Sequence, residues 1–249
     1  MFRTPRYLEG GMSHSAQPGP GFGNNAATIA GNTMHFNLTI SYAEGSVGGR
    51  SKFFGTTFLD FLAVYPIAVI AGADTILTTV SINGNPGIVH CQANTGGYIA
   101  AIVSGLAAFE TAGYIEPSAS AWKMVLNSTG TVPTSANAGS GLWFSRGLGA
   151  LWADATTTAT ATARTLTVPV IPTKARIMAA SINDVATANQ CTWTGTAGNG
   201  ETDDGALGTA RRSFAQFDPT AGASLTIIST YDVISTTGNS LAAAMFMRG

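Results

Sequence analysis

Apolar and polar residues alternate in short runs along this chain, and Gly, Pro, Asn and Thr separate the runs. Across residues 35–42, Phe36, Leu38, Ile40 and Tyr42 alternate with polar neighbours, the period of a strand with one face in a core. Residues 75–82 read as a strand closing on Asn83-Gly84, a dipeptide suited to a tight hairpin, with 88–91 as the return strand. Residues 53–70 give a mixed signal. Phe58, Phe61 and Leu62 suit one helical turn, whereas 64–70 is rich in β-branched residues and holds Pro66. A short helix or loop followed by a strand is expected there. Residues 96–109 fit either a strand pair or a helix. Strands are expected at 122–127 and 141–146, with a polar loop at 128–140 containing Pro133. The Thr/Ala-rich stretch within 148–164 fits a linker or a strand with small side chains. Further strands are expected at 166–171, 176–182, 190–194, 212–217, 225–231 and 241–248. This pattern predicts an all-β chain built of β-sandwich or small-barrel units.

Two stretches repeat one another. Gln216-Phe-Asp-Pro-Thr-Ala-Gly-Ala223 reads against Tyr114-Ile-Glu-Pro-Ser-Ala-Ser-Ala121, and the offset (219 − 117 = 102) lays Met245-Phe-Met-Arg-Gly249 on Trp143-Phe-Ser-Arg-Gly147. Upstream, Ser181-Ile-Asn183 answers Ser81-Ile-Asn83 and Cys191 answers Cys91 (191 − 91 = 100). We read a tandem duplication. The expected organisation is an extended N-terminal arm at 1–32, a first jelly-roll-like β-sandwich at 33–147 and a second at 148–249.

The copies disagree at one strand. Leu225 and Ile227 face the expected core of the second copy, while the aligned Lys123 and Val125 leave Trp122 and Met124 on the opposite face of the first. Either the alignment slips by one residue, which exchanges faces, or Trp122 and Met124 form an extra apolar surface for a partner.

Composition narrows the function. Only 10% of the residues are charged and the net charge is −1. Such a chain either buries much of its surface in an assembly or keeps it hydrated with hydroxyls, and it is not built to bind nucleic acid through phosphates. Residues 1–32 hold Pro18-Gly-Pro-Gly21. They read as a disordered tail or as an arm ordered across a neighbouring subunit, with Phe2, Tyr7 and Phe22 as anchors. No signal peptide is expected, and the most apolar stretch, 58–73, is too short to span a bilayer.

Candidate chemistry is sparse. His14, His35 and His90 are scattered. His90 adjoins Cys91 on an expected strand, where neighbours point to opposite faces, so a structural role is expected for it. The two cysteines lack a CxxC spacing and read as buried thiols rather than a disulfide or a zinc site. Glu201, Asp203 and Asp204 could gather around calcium, but their spacing departs from an EF-hand loop, and a solvated loop is expected. Arg211-Arg212 is expected in a solvated turn. Trp122, Trp143, Trp152 and Trp193 are expected in packing, with sugar stacking as the other use. No catalytic, cofactor or metal residues are assigned.

Low charge, many short strands, the Gly/Pro arm and the tandem β-unit together resemble the virion proteins of tailed bacteriophages, in particular capsid decoration and other head or tail accessory proteins. The resemblance is one of general character over the whole chain, and no family residue transfers. It implies a non-enzymatic virion protein without cofactors or membrane contacts, forming a homo-oligomer, favoured as a trimer, bound to other virion proteins. Two alternatives stand beside it: a small capsid protein with two barrels, resembling the double jelly-roll type, and a carbohydrate-binding module.

Overall fold

A computed structural model describes residues 28–39, 61–82, 84–106, 121–134, 137–141, 143–146, 149–195 and 201–247. The described residues form antiparallel β-structure and no α-helix. The first strands are β1 (Thr28–Ala30), β2 (Thr33–Thr39), β3 (Phe61–Ile70), β4 (Leu77–Ile82), β5 (Asn85–Thr95) and β6 (Tyr98–Leu106). They are followed by β7 (Ala121–Ser128), β8 (Ala138–Ser140), β9 (Trp143–Arg146), β10 (Trp152–Thr158), β11 (Ala163–Val168) and β12 (Ala175–Asn183). The last are β13 (Cys191–Thr194), β14 (Glu201–Leu207), β15 (Ala210–Phe217), β16 (Leu225–Tyr231) and β17 (Asn239–Met247).

Several ambiguous stretches resolve as strands. The strand expected at 64–70 is present and begins at Phe61, the helix or loop expected before it falls largely on 53–60, outside the described residues, and Pro66 leaves its mark on the partner. Val64 faces Trp143 and Ile67 faces Ser140, and the ladder breaks between β8 and β9 beside Pro66, which has no N–H to donate. Gly141 N still donates to the Pro66 carbonyl at 3.0 Å. The stretch left open at 96–109 contains β6, and the Thr/Ala stretch at 154–164 runs from β10, paired along β17, through a short connection into β11. Within the stretch expected as an arm, 28–30 form β1, which pairs with β2 across a turn at 31–32. Residues 1–27 lie outside the described residues.

The two halves pair their strands in the same way. In the first, β2 pairs β7 and β7 pairs β4, while β5 pairs β6, β6 pairs β3, and β3 pairs β8 and β9. In the second, β11 pairs β16 and β16 pairs β13, while β14 pairs β15, β15 pairs β12, and β12 pairs β17. Taken in chain order, with β8 and β9 as one broken strand, these partners correspond; β4 also pairs β5 at Ser81–Pro86 and Ile82–Asn85, without a counterpart among the described residues of the second half, and β9 meets β17 of the other half at Arg146 and Met247. A side-chain bridge recurs as well. Leu77 N of β4 donates to Gln92 Oε1 of β5 at 2.7 Å, and Cys191 N of β13 donates to Asp204 Oδ2 of β14 at 3.3 Å.

The residue matches seen in the sequence do not follow this correspondence. Ser81 lies in β4, the third strand of its set, whereas Ser181 lies in β12, the second of its own. Cys91 lies in β5 and Cys191 in β13, which are the fourth and third strands. The offset fails because the connections differ: 40–60 and 107–120 in the first half stand where the second has 169–174 and 218–224. At β7 and β16 the buried faces are Met124, Leu126 and Ser128 against Ile227, Ser229 and Tyr231, one residue away from the sequence register (227 − 124 = 103). The slip is real, and it removes the extra apolar surface inferred at Met124.

Packing follows from strict alternation. On β3, Ala63, Tyr65, Ile67 and Val69 enter the first sandwich core with Phe36, Met124 and Ile99, whereas Leu62, Val64 and Ala68 point the other way. Ile177 and Ala179 of β12 and Ala243 and Met245 of β17 enter the second core with Phe217 and Ile227. Their neighbours Met178, Ala180, Ala242, Ala244 and Phe246 meet the Leu62 face of β3 and Ala100 and Ile102 of β6. The described residues thus stack in four layers around three cores, with the inner two layers covered on both faces; the first three layers are joined edge to edge through β4–β5 and β9–β17. The outer sheet of the second half faces solvent with Thr165, Thr167, Thr192, Thr194 and Thr226, all exposed. Doubly covered sheets and hydroxyl-bearing outer strands account for much of the low charge within a single chain.

The middle layer is too large for either half to dispense with. Leu62, Val64, Ile102, Met178, Ile182, Phe214 and Phe246 bury there, and at roughly 1.5–3 kcal/mol per side chain their exposure would cost on the order of 10–20 kcal/mol, comparable with a domain's whole net stability of about 5–15 kcal/mol. Both halves are therefore expected to unfold in one transition. Ala244→Leu, which overfills this layer, should lower the stability of the whole chain by about 1–3 kcal/mol in urea titrations. Two separate transitions, with only one of them moved, would contradict the shared core.

Candidate functional site

The residues singled out from the sequence are not gathered at one place. Phe2, Tyr7 and Phe22 lie outside the described residues, and so does the Trp122 side chain, although the Trp122 backbone belongs to β7. Met124 is fully buried in the first core and is no interface residue on this surface, because alternation turns it inward with Leu126. Trp193 is nearly buried in the second core and its Nε1 donates to Ser213 Oγ at 2.8 Å, so it offers no stacking platform. Trp152 packs, partly exposed, against the same core.

The acidic stretch is a strand, not a loop. On β14 successive residues point to opposite faces, which parts Asp203 from Asp204. Asp204 takes Arg211 through both oxygens, at 2.9 and 2.7 Å, and Asp203 takes Arg212 Nη1 at 3.1 Å. Arg211 and Arg212 therefore do not form a solvated turn. They lie on β15, and Arg212 is only 3% exposed, its guanidinium 4.9 Å from the Phe214 ring centre. Among the described residues no group of three or more His, Cys, Asp or Glu side chains could hold a metal.

The cysteines are unbonded, and burial pushes both thiols up to about 12, which leaves them protonated and poor nucleophiles at neutral pH. The His90 and Cys91 side chains do not point to opposite faces. The β5–β6 ladder slips between Val89 and Cys91, leaving His90 as the extra residue of a bulge. Both side chains consequently reach the middle layer: Cys91 packs there and its Sγ meets Ala243 O at 3.4 Å, while His90 stands edge-on to Phe246 with ring centres 5.3 Å apart. His90 Nε2 shares a 2.6 Å hydrogen bond with Ser104 Oγ, and burial lowers its pKa. No local signal in the sequence marks the bulge.

The densest polar arrangement is one that the sequence did not suggest. Asp184, buried just after β12, accepts from Thr236 N at 3.0 Å, from Thr236 Oγ1 at 2.8 Å, from Thr237 N at 2.6 Å and from the Thr237 hydroxyl. Burial alone would raise this carboxyl, but the hydrogen bonds from Thr237 and Thr236 prevail and hold it below the usual carboxylate value. Arg164, also buried, grips the same segment through Nε to Asn239 O at 3.0 Å, and its other nitrogens donate to the carbonyls of Ala163 and Thr158. The segment so held abuts the first half. Ser240 Oγ donates to Tyr98 O at 2.7 Å, and a Cβ on Gly238 would stand 2.2 Å from Thr95 O, a distance no side chain tolerates. A buried carboxylate and a buried guanidinium thus shape a loop that one sandwich presses against the other.

Asp184→Asn places an NH2 donor against backbone donors and should cost about 1–3 kcal/mol in urea titrations near neutral pH. Since the folded carboxyl titrates below its unfolded value, this stabilisation is present above the ordinary carboxylate range and is lost as pH falls through the depressed folded value. The gap between wild type and variant should close there, and a gap independent of pH would show that the charge is not what stabilises the loop. No family model, curated protein or solved structure matches this chain.

Proposed function

We propose that the chain is a structural protein of a viral particle, a shell-building subunit that acts through contacts with copies of itself and with other particle proteins. The observation that carries this reading is the pair of strand sets with one pattern of partners, packed through a shared middle layer. Each set has the order of a jelly-roll-like sandwich, in which two sheets exchange strands through long connections. We attribute the two sets to duplication of one ancestral unit, supported by the matching pairings and by the recurrent bridge at Leu77 and Cys191.

Of the two particle roles considered, decorating a shell and building one, paired sandwiches favour building. Three copies of a chain with two like units set six like units around one axis, an outline that meets six neighbours and tiles a surface. The uncharged threonine face of the outer sheet and the exposed Ile76, Ile88, Val170 and Ile234 suit close approach by other subunits. Within this reading residues 1–27 lie across a neighbouring copy, anchored by Phe2, Tyr7 and Phe22.

Light scattering on the purified chain should give a particle of three times 25.4 kDa or a larger assembly. Deleting residues 1–27 should leave the circular dichroism and the urea midpoint unchanged while weakening that assembly. A stable monomer at high concentration would overturn the shell-building role, and full assembly without residues 1–27 would overturn only the role given to the arm.

A further inference from the structure

The middle layer is fastened at both ends, and the two fastenings differ in kind. Ser240 and Phe246 mark the ends along β17, separated by about 20 Å at roughly 3.3 Å per residue. At the Ser240 end stands the loop gripped by Asp184 and Arg164, fitted against Thr95 and Tyr98. At the Phe246 end stands His90, displaced into the layer by the β5 bulge, with Ser104 and the Phe246 ring as its contacts. Ser104 is only 1% exposed, while Ile88 and Leu151, at 53% and 49%, border this end of the layer.

We propose that the middle layer is a hinge which acid opens at the His90 end while the Asp184 end stays closed. A neutral imidazole suits this apolar layer; protonating the half-buried ring between Phe246 and a buried hydroxyl favours its fuller hydration, and the shortest way to that is to part β5 from β17. Burial already lowers the pKa of His90, so the contact is fully formed above the ordinary imidazole value of about 6.5 and weakens as pH falls below it. Asp184 responds to acid differently. Its carboxyl stays ionised below the usual carboxylate range, so its grip persists through the interval in which His90 charges.

Among the described side chains, the other charged or titratable groups at this layer do not replace that switch. The Cys91 thiol remains protonated, and Asp154 of β10 acts on it from the exposed side. Arg212 is already paired with Asp203, Arg176, which lies opposite Phe246 on β12, is paired with Asp218 at 2.9 Å, and Tyr98 stands at the closed end. Opening would add the faces of Phe246 and Ile102 to the apolar margin at Ile88 and Leu151. Such a hinge goes beyond the shell-building role and operates in the single chain whether or not it assembles.

The test is amide hydrogen exchange, corrected for intrinsic rates, on the full chain at about pH 7.5 and about pH 5. In the wild type, residues 88–91 and 244–247 should exchange about tenfold faster at the lower pH, a change of about 1.4 kcal/mol in the opening equilibrium, while 235–240 should not change. His90→Gln should remove the acceleration, and Ser104→Ala should keep it. Equal acceleration in His90→Gln, acceleration at both ends, or none in the wild type would overturn the proposal. Should His90→Gln not fold, titration of the wild-type imidazole by NMR decides: a midpoint below that of free histidine which coincides with the opening supports the hinge, and any other midpoint overturns it.

Discussion

Sheet-on-sheet burial in the middle of the molecule is the constraint on which the rest depends. A strand covered on one face needs apolar residues only at alternate positions, whereas β3, β6, β12 and β17 are covered on both along most of their length and leave charge only at their ends, as Arg176 of β12 does in its ion pair with Asp218. Alanine carries much of this layer, at positions 68, 100, 180, 242 and 244. Small side chains let the two sheets approach closely, while Phe214, Phe246 and Met178 fill the gaps between them. The low charge of the chain is in large part a consequence of this one layer.

Interruptions of the strand rule fall at the joints between layers. Pro66 withholds one donor and splits the strand opposite it into β8 and β9. The bulge at His90 adds one residue to β5 and turns two consecutive side chains into the same layer. Gln92 and Asp204 complete backbone groups of β4 and β13 where those strands part from β5 and β14. These last two side chains meet the hydrogen-bonding need of a strand backbone that no neighbouring strand supplies.

Polar groups inside the second half are matched in ways that hold the loops as well as the sheets. Ser181 Oγ bonds Ser229 Oγ at 2.9 Å across the core, and Asn189 joins two connections by donating to Val185 O and accepting from Val233 N. With Asp184 and Arg164 nearby, one end of the molecule is closed by buried side-chain hydrogen bonds. The connections 40–60 and 107–120, where the two halves differ most in length, lie outside the described residues.

The sequence by itself determined that the chain is all-β, where most of its strands run, and that Gly84 turns a hairpin, with φ of +85°. Alternation of period two and the backbone freedom of glycine are local properties, readable from a few adjacent residues. Tertiary structure alone decided which strands correspond between the halves, because connections of unequal length break any constant offset and a slip of one residue at β7 exchanges its faces. It also decided that the continuous apolar runs were strands covered on both faces, since such a run has no period to read. The ion pairs of Asp203 and Asp204, the bulge at His90 and the grip of Asp184 on Thr236 and Thr237 rest on residues brought together by pairing across the sheets, where distance along the chain carries no signal.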